Sequence, residues 1–145
     1  MALCFVGALV VVPLLYAKGP TQKILISGGS LVCPIEIGDA AVLKSFNIWS
    51  GTFIVANWSP VAAPPSELKR YQAAFYANHH KDGLDYIVTY VDDPANHRGF
   101  VYLPGKGEAD YSLNTFSIYR GVEGQWFEAR KSWVDLVTAL INAKE

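Results

Sequence analysis

Apolar and polar positions follow three different rhythms along this chain. The first has no period at all: Ala2 to Ala17 (ALCFVGALVVVPLLYA) carries no charged residue, and Lys18-Gly19-Pro20 then ends the run. Crossing a bilayer as a helix takes roughly 20 apolar residues, whereas the apolar part of an export signal takes about 7 to 15, followed by small residues at the cut. Length therefore favours a signal peptide over residues 1–17. The alternatives are an uncleaved anchor through residues 2–17 or a buried strand or helix of the fold. Pro13 fits badly inside a spanning helix. Leu15-Tyr16-Ala17 puts a small residue before the cut but a large one two places earlier, and no Lys or Arg precedes the run; a misplaced start codon would account for the missing charge.

The second rhythm has period two. Thr21 to Ser27 and Leu31 to Ile37 are β-branched runs separated by Gly28-Gly29-Ser30, the pattern of a hairpin with a glycine turn. Pro34 places the second strand at an edge or a bulge. Asp39 then precedes Ala40 to Phe46, where apolar residues at 42, 43 and 46 predict a two-turn helix with Asp39 as its cap. Residues 47–66 mix Trp49, Phe53 and Trp58 with glycine and prolines, which reads as an irregular crossover packed on the domain rather than a linker. Ser66 to Asn78 fits either a helix or a strand. A strand from about residue 70 is preferred, because Leu84 to Val91 reads as a strand and needs a neighbour. Asp92-Asp93-Pro94-Ala95-Asn96 reads as a turn and Arg98 to Leu103 as the next strand. Asn114 to Arg120 and Gln125 to Ala129 are expected to form one more hairpin.

The third rhythm is helical. Trp133, Leu136, Val137 and Leu140 recur at i, i+3, i+4 and i+7, with Ser132 as the expected N-cap and Asp135 as its acidic capping-box partner. Together these elements predict one α+β domain over residues 18–145: a mainly antiparallel sheet of about five to seven strands, a short helix and a C-terminal amphipathic helix.

Composition narrows the function classes. With 145 residues, 51% of them hydrophobic and 17% charged, the chain has the means to bury a core and is not of the disordered type. Twelve Lys plus Arg against 13 Asp plus Glu give a net charge of -1 with no long run of either sign. A nucleic-acid partner is therefore not expected, nor stable membrane association once the signal is removed. Cleavage would remove Cys4 and leave Cys33 without a partner for an intramolecular disulfide. No catalytic or lipid-attachment signature surrounds Cys33, so it is read as a buried small hydrophobe.

Candidate chemistry is sparse. His79, His80, Asp82 and Asp85 gather metal-binding side chains in a predicted turn, but adjacent histidines diverge and the helical His spacing is missing, so no metal is expected. Asp92-Asp93 and Glu108/Asp110 contain carboxylates of the kind acid–base chemistry uses, though Asp92-Asp93-Pro94 reads more simply as the start of a turn. Gly28-Gly29-Ser30 and Gly105-Lys106-Gly107 lack the spacing of a phosphate loop and read as turns, so no cofactor is expected. Asn57-Trp58-Ser59 fits a glycosylation sequon. The remaining signal is aromatic, at 13% of the chain. Most of these rings belong in the core. A minority are candidates to line a ligand groove: Trp49, Trp58 and Tyr102, with Arg120 or Arg98 as a fixed donor for a carboxylate.

The stretches Ile24 to Ile37, Phe46 to Trp49, Phe100 to Gly107 and Ile118 to Phe127 resemble exported bacterial proteins of an uncharacterised family, including a Tyr-Leu-Pro-Gly segment and an Arg-Gly turn before a Trp-Phe pair. The resemblance implies a secreted or periplasmic setting and brings no activity with it. The expected function is a non-enzymatic domain that binds a small molecule, peptide or protein partner. The alternative is a small secreted hydrolase using dispersed residues, His97, Asp92 and Glu108 first among them.

Overall fold

The structure, a computed structural model, describes residues 20–47, 52–77, 83–111 and 124–144. Expectations that rest on residues 1–19, Trp49, His79, His80, Asp82, 114–120 or Arg120 lie outside these residues.

Among the described residues seven strands form a single antiparallel sheet: β1 (Thr21–Gly28), β2 (Ile35–Ile37), β3 (Pro60–Val61), β4 (Arg70–Ala77), β5 (Leu84–Asp93), β6 (Arg98–Leu103) and β7 (Gln125–Glu128). Their order across the sheet is β2-β1-β4-β5-β6-β7-β3. Among the described residues two longer α-helices accompany them, α1 (Ala40–Ser45) and the C-terminal α2 (Lys131–Asn142). The architecture is α+β and mainly sheet. Among the described residues no helix is long and apolar enough to cross a membrane.

Alternation decides which face is covered. Along β4 the residues Tyr71, Ala73, Phe75 and Ala77 are buried, and Tyr86, Val88 and Tyr90 continue the pattern on β5. Register joins them into rows, Ile24–Phe75–Tyr86 and Tyr71–Tyr90–Val101–Phe127. Helix α2 lies on this face through Trp133, Val134, Val137 and Ile141. The Trp133 ring stacks on Phe75 at 6.0 Å and meets Phe46 and Tyr90 edge-on at 5.1 and 6.3 Å. Burying such a ring contributes roughly 3 kcal/mol, so Trp133 is the peg that seats the helix.

Several local expectations hold. Asp39 Oδ1 accepts from the amides of Ala41 and Val42 at 2.9 and 3.0 Å and starts α1 as read. β4 begins at Arg70, β6 spans Arg98–Leu103, and β2, which follows Pro34, is an edge strand.

Others are corrected. The second strand of the first hairpin covers only Ile35–Ile37, because the chain turns through Gly28 and Gly29 at positive φ, the Leu31 amide closes the turn onto the Gly28 carbonyl, and Leu31 to Pro34 join no strand. Cys33 is consequently exposed rather than buried, beside a Val32 that is 99% exposed. The crossover carries a strand, β3, and an isolated bridge from Ile54 to Ala129 that the sequence reading lacked. β7 pairs with β6 on one side and β3 on the other, while its expected hairpin partner, Asn114 to Arg120, lies outside the described residues. Helix α2 starts one residue before Ser132, with Arg130 at the cap position and no side-chain cap; Asp135 pairs instead with Lys131 Nζ at 2.6 Å. Its buried stripe is 133, 134, 137 and 141, leaving Leu136 and Leu140 half-buried.

Candidate functional site

The strand β5 runs two residues further than its apolar pattern, through Asp92 and Asp93. Alternation turns Asp92 onto the same face as Tyr90, beneath α2, where it is only 8% exposed. The Tyr90 hydroxyl donates to Asp92 Oδ1 at 3.0 Å, and Thr138 Oγ1 on α2 donates to the same oxygen at 2.8 Å. Hydrogen bonds to a charged group contribute roughly 1.5–3 kcal/mol each, so this carboxylate fastens the helix to the sheet. Burial raises the Tyr90 phenol well above its ordinary range, and the Asp92 charge adds to that shift. Tyr90 therefore stays protonated and remains a donor.

Access for the Tyr90 ring is provided by Gly99 on β6. A Cβ there would lie 2.7 Å from both Tyr90 Cε2 and Oη, and 2.9 Å from Val134 Cγ2. The neighbouring Asp93 points the other way: its Oδ2 accepts from Asn96 Nδ2 at 2.9 Å and its Oδ1 from the Asn96 amide, capping a short 3-10 helix (Pro94–Asn96). Of the Asp-Asp pair, one residue is the turn former the sequence predicted and the other is a core-facing carboxylate.

Two adjoining clefts open beside Asp92 and share Asp92, Pro94 and Asn142. One, of about 350 Å³, runs along α2 between His97, Val134 and Ala139. The other, of about 250 Å³, lies towards the β4 side between Leu68, Tyr71 and Ile141, with Glu67 and Lys69 at its rim. Asp92 Oδ2 receives no hydrogen bond from a described residue and is not sealed from solvent, so it faces this space. A larger groove of about 440 Å³ lies between α1 and α2, where Arg130 is the charged lining residue. It offers no buried polar group, and a concave site with a few fixed polar groups is the better ligand candidate.

Among the described residues no helix lies on the opposite face of the sheet. Register sets Arg70, Val91, Phe100 and Glu128 in one row and Gln72, Thr89, Tyr102 and Trp126 in the next. The Arg70 guanidinium lies over the Trp126 ring at 5.4 Å, and Tyr102 tilts against Trp126 at 5.1 Å. Arg98 covers Phe100 at 5.2 Å and its Nε donates to Glu128 at 3.1 Å. Tyr102 donates to the Glu108 carboxylate at 3.0 Å, and the Gly105 amide donates to the other Glu108 oxygen. Partial burial raises the Tyr102 phenol, helped by the Glu108 contact.

These positions disperse the residues that the sequence singled out. Trp58 is half-buried and meets Phe127 edge-on at 6.0 Å, on the core side of β7, whereas Tyr102 stands on the opposite face. Trp49 and Arg120 lie outside the described residues. Of the three alternative residues, His97 and Asp92 line one cleft, and Glu108 is elsewhere, bonded to Tyr102. Sequence reasoning missed Tyr90, Gly99, Thr138 and Asn142. The one available signal was the alternation Tyr86, Val88, Tyr90, Asp92, which carries a carboxylate onto the core face. Among the described residues no group of three or more His, Cys, Asp or Glu could hold a metal.

No family model, curated protein or solved structure matches the chain.

Proposed function

We propose that the protein is an exported binding domain whose ligand is a small molecule seated in the cleft beside Asp92. One observation carries this reading: a carboxylate buried to 8% exposure is fixed by two hydroxyls on one oxygen while its other oxygen faces open space. A buried charge is costly unless it is paired, and here the unfilled half of the pairing lies on the ligand side. The cleft of about 350 Å³ is of ligand-pocket size. The uncharged apolar run over residues 2–17 supports a secreted or periplasmic location, and the resemblance to exported proteins supports it further.

A second reading, a small hydrolase, draws on His97 and Asp92 lining the same cleft. Binding is favoured because the Thr138 hydroxyl, which lines the cleft, donates to the Asp92 carboxylate and is held there as a fixed donor.

The test is a fragment screen by amide NMR on protein made from the full chain, with its N-terminus read by intact mass. Fragments that shift the Thr138, Ala139 and Asn142 amides, on a protein starting at Lys18, are expected. A screen with no hit at these amides would sink the cleft as a binding site, and a full-length product in the cytoplasm would sink export. Consumption of a hit over time would move the reading to the hydrolase.

A further inference from the structure

Resting on the small-molecule reading above, we infer that the group received by Asp92 is a primary ammonium, carried on a compact apolar body. A carboxylate offers about four lone-pair sites over its two oxygens. Both protein donors, Tyr90 Oη at 3.0 Å and Thr138 Oγ1 at 2.8 Å, converge on Oδ1 and occupy that oxygen. Only Oδ2 is left, facing the clefts. Ion pairs among the described residues join Lys23 to Glu36, Arg98 to Glu128 and Lys131 to Asp135, and none reaches Asp92. The missing partner is therefore a positive group that approaches one oxygen end-on.

That geometry discriminates among cations. A guanidinium forks onto both oxygens of a carboxylate with two parallel hydrogen bonds, and here one of those oxygens is already saturated. Calcium takes 6 to 8 oxygen ligands, and the described residues contain no cluster of metal-ligating side chains. An ammonium is a compact point charge with three donors and needs one oxygen. A second donor can reach the Asn142 amide, which borders both clefts. The walls fit the body of such a molecule: Pro94, Val134 and Ala139 on one side and Leu68 and Ile141 on the other.

The experiment titrates n-butylammonium chloride, methylguanidinium chloride and n-butanol into the isotope-labelled protein from the full chain, with sodium chloride as the salt control. Saturable shifts at Thr138, Ala139 and Asn142 are expected with butylammonium, methylguanidinium binding at least about fivefold more weakly, and neither butanol nor salt producing them. Asp92→Asn should abolish the response. Because that substitution disturbs the helix attachment, Thr138→Val provides the second arm. It frees a lone pair on Oδ1 while preserving shape, so methylguanidinium should gain on butylammonium. Equal binding of the two cations to the native protein, or an unchanged ratio in Thr138→Val, overturns the ammonium assignment. Neutral or anionic fragments that occupy the cleft while butylammonium does not would overturn it too, yet would leave the binding reading standing. Absence of any ligand at the cleft overturns both.

Discussion

A single hydrogen atom decides how the site is built. Gly99 has no Cβ, and the Tyr90 ring and Val134 fill the place that one would take. Gly99→Ala should therefore overpack the sheet–helix interface and lower stability by roughly 1–3 kcal/mol, read as a fall in the urea midpoint. Gly38→Ala is the control, since nothing lies within 4 Å of a Cβ there, and its midpoint should stay within the usual surface range. Tyr90 supplies a second prediction. The folded state holds its proton well above the ordinary phenol value near 10 because of burial, with Asp92 adding to the shift. The unfolded chain releases that proton as pH passes 10 and the folded one does not, so the unfolded state binds fewer protons and stability falls as pH rises. Unfolding free energies measured from pH 9 to 11.5 should decline, with a slope approaching about 1.4 kcal/mol per pH unit from this residue. Tyr90→Phe should flatten part of the decline. Neither Gly99 nor Thr138 was legible as a site residue, because each acquires its role from a partner distant in sequence: Thr138 stands 46 positions from the carboxylate it holds.

At the scale of elements, local chemistry was readable and pairing was not. Asp39 announces α1 through its own side chain, and the β-branched and aromatic residues of β5 and β6 announce these strands. The start of α2 was misread because Ser132 followed by Asp135 imitates a capping box, whereas Lys131 one residue earlier takes Asp135 into an i,i+4 ion pair. The stripe shifted with it, since the sheet receives Val134 and Ile141 in preference to Leu136 and Leu140. Strand β3 escaped notice because two residues, one of them Pro60, carry no period. The sheet face opposite α2 shows how side chains of the strands themselves shield the residues beneath them. Arg70 on β4 and Trp126 on β7 meet across the two strands between them, and Val91 and Phe100 below are 0% and 8% exposed. Cation–aromatic contacts of this kind contribute about 0.5–1 kcal/mol near a surface, and the arginine stem adds apolar cover. Trp126→Ala should cost about 2–3 kcal/mol through lost burial and lost stacking, measured by denaturation. Shifts at Thr138 and Asn142 on adding butylammonium should be retained, because the two faces are separated by the sheet.

For the whole molecule, the class of fold was written in the alternation and the order of strands was not. Consecutive strands β4, β5 and β6 pair as neighbours, a meander the turns predict. The placement of β1 beside β4, and of β3 outside β7, is set by long-range packing that leaves no local mark. That topology puts the longest strands, β1, β4 and β5, inside and the shortest at the rims: β2 with three residues after Pro34, and β3 with two, beginning at Pro60. A foreign strand adding to either rim would gain only a few rungs before running into proline and unpaired backbone, and short, proline-marked edges are how sheet proteins avoid polymerising. The same shortness confines recognition. Among the described residues, capture of a peptide by strand addition has only these two short rims to use, so the long faces of the sheet and the helix side offer a partner side chains and not backbone.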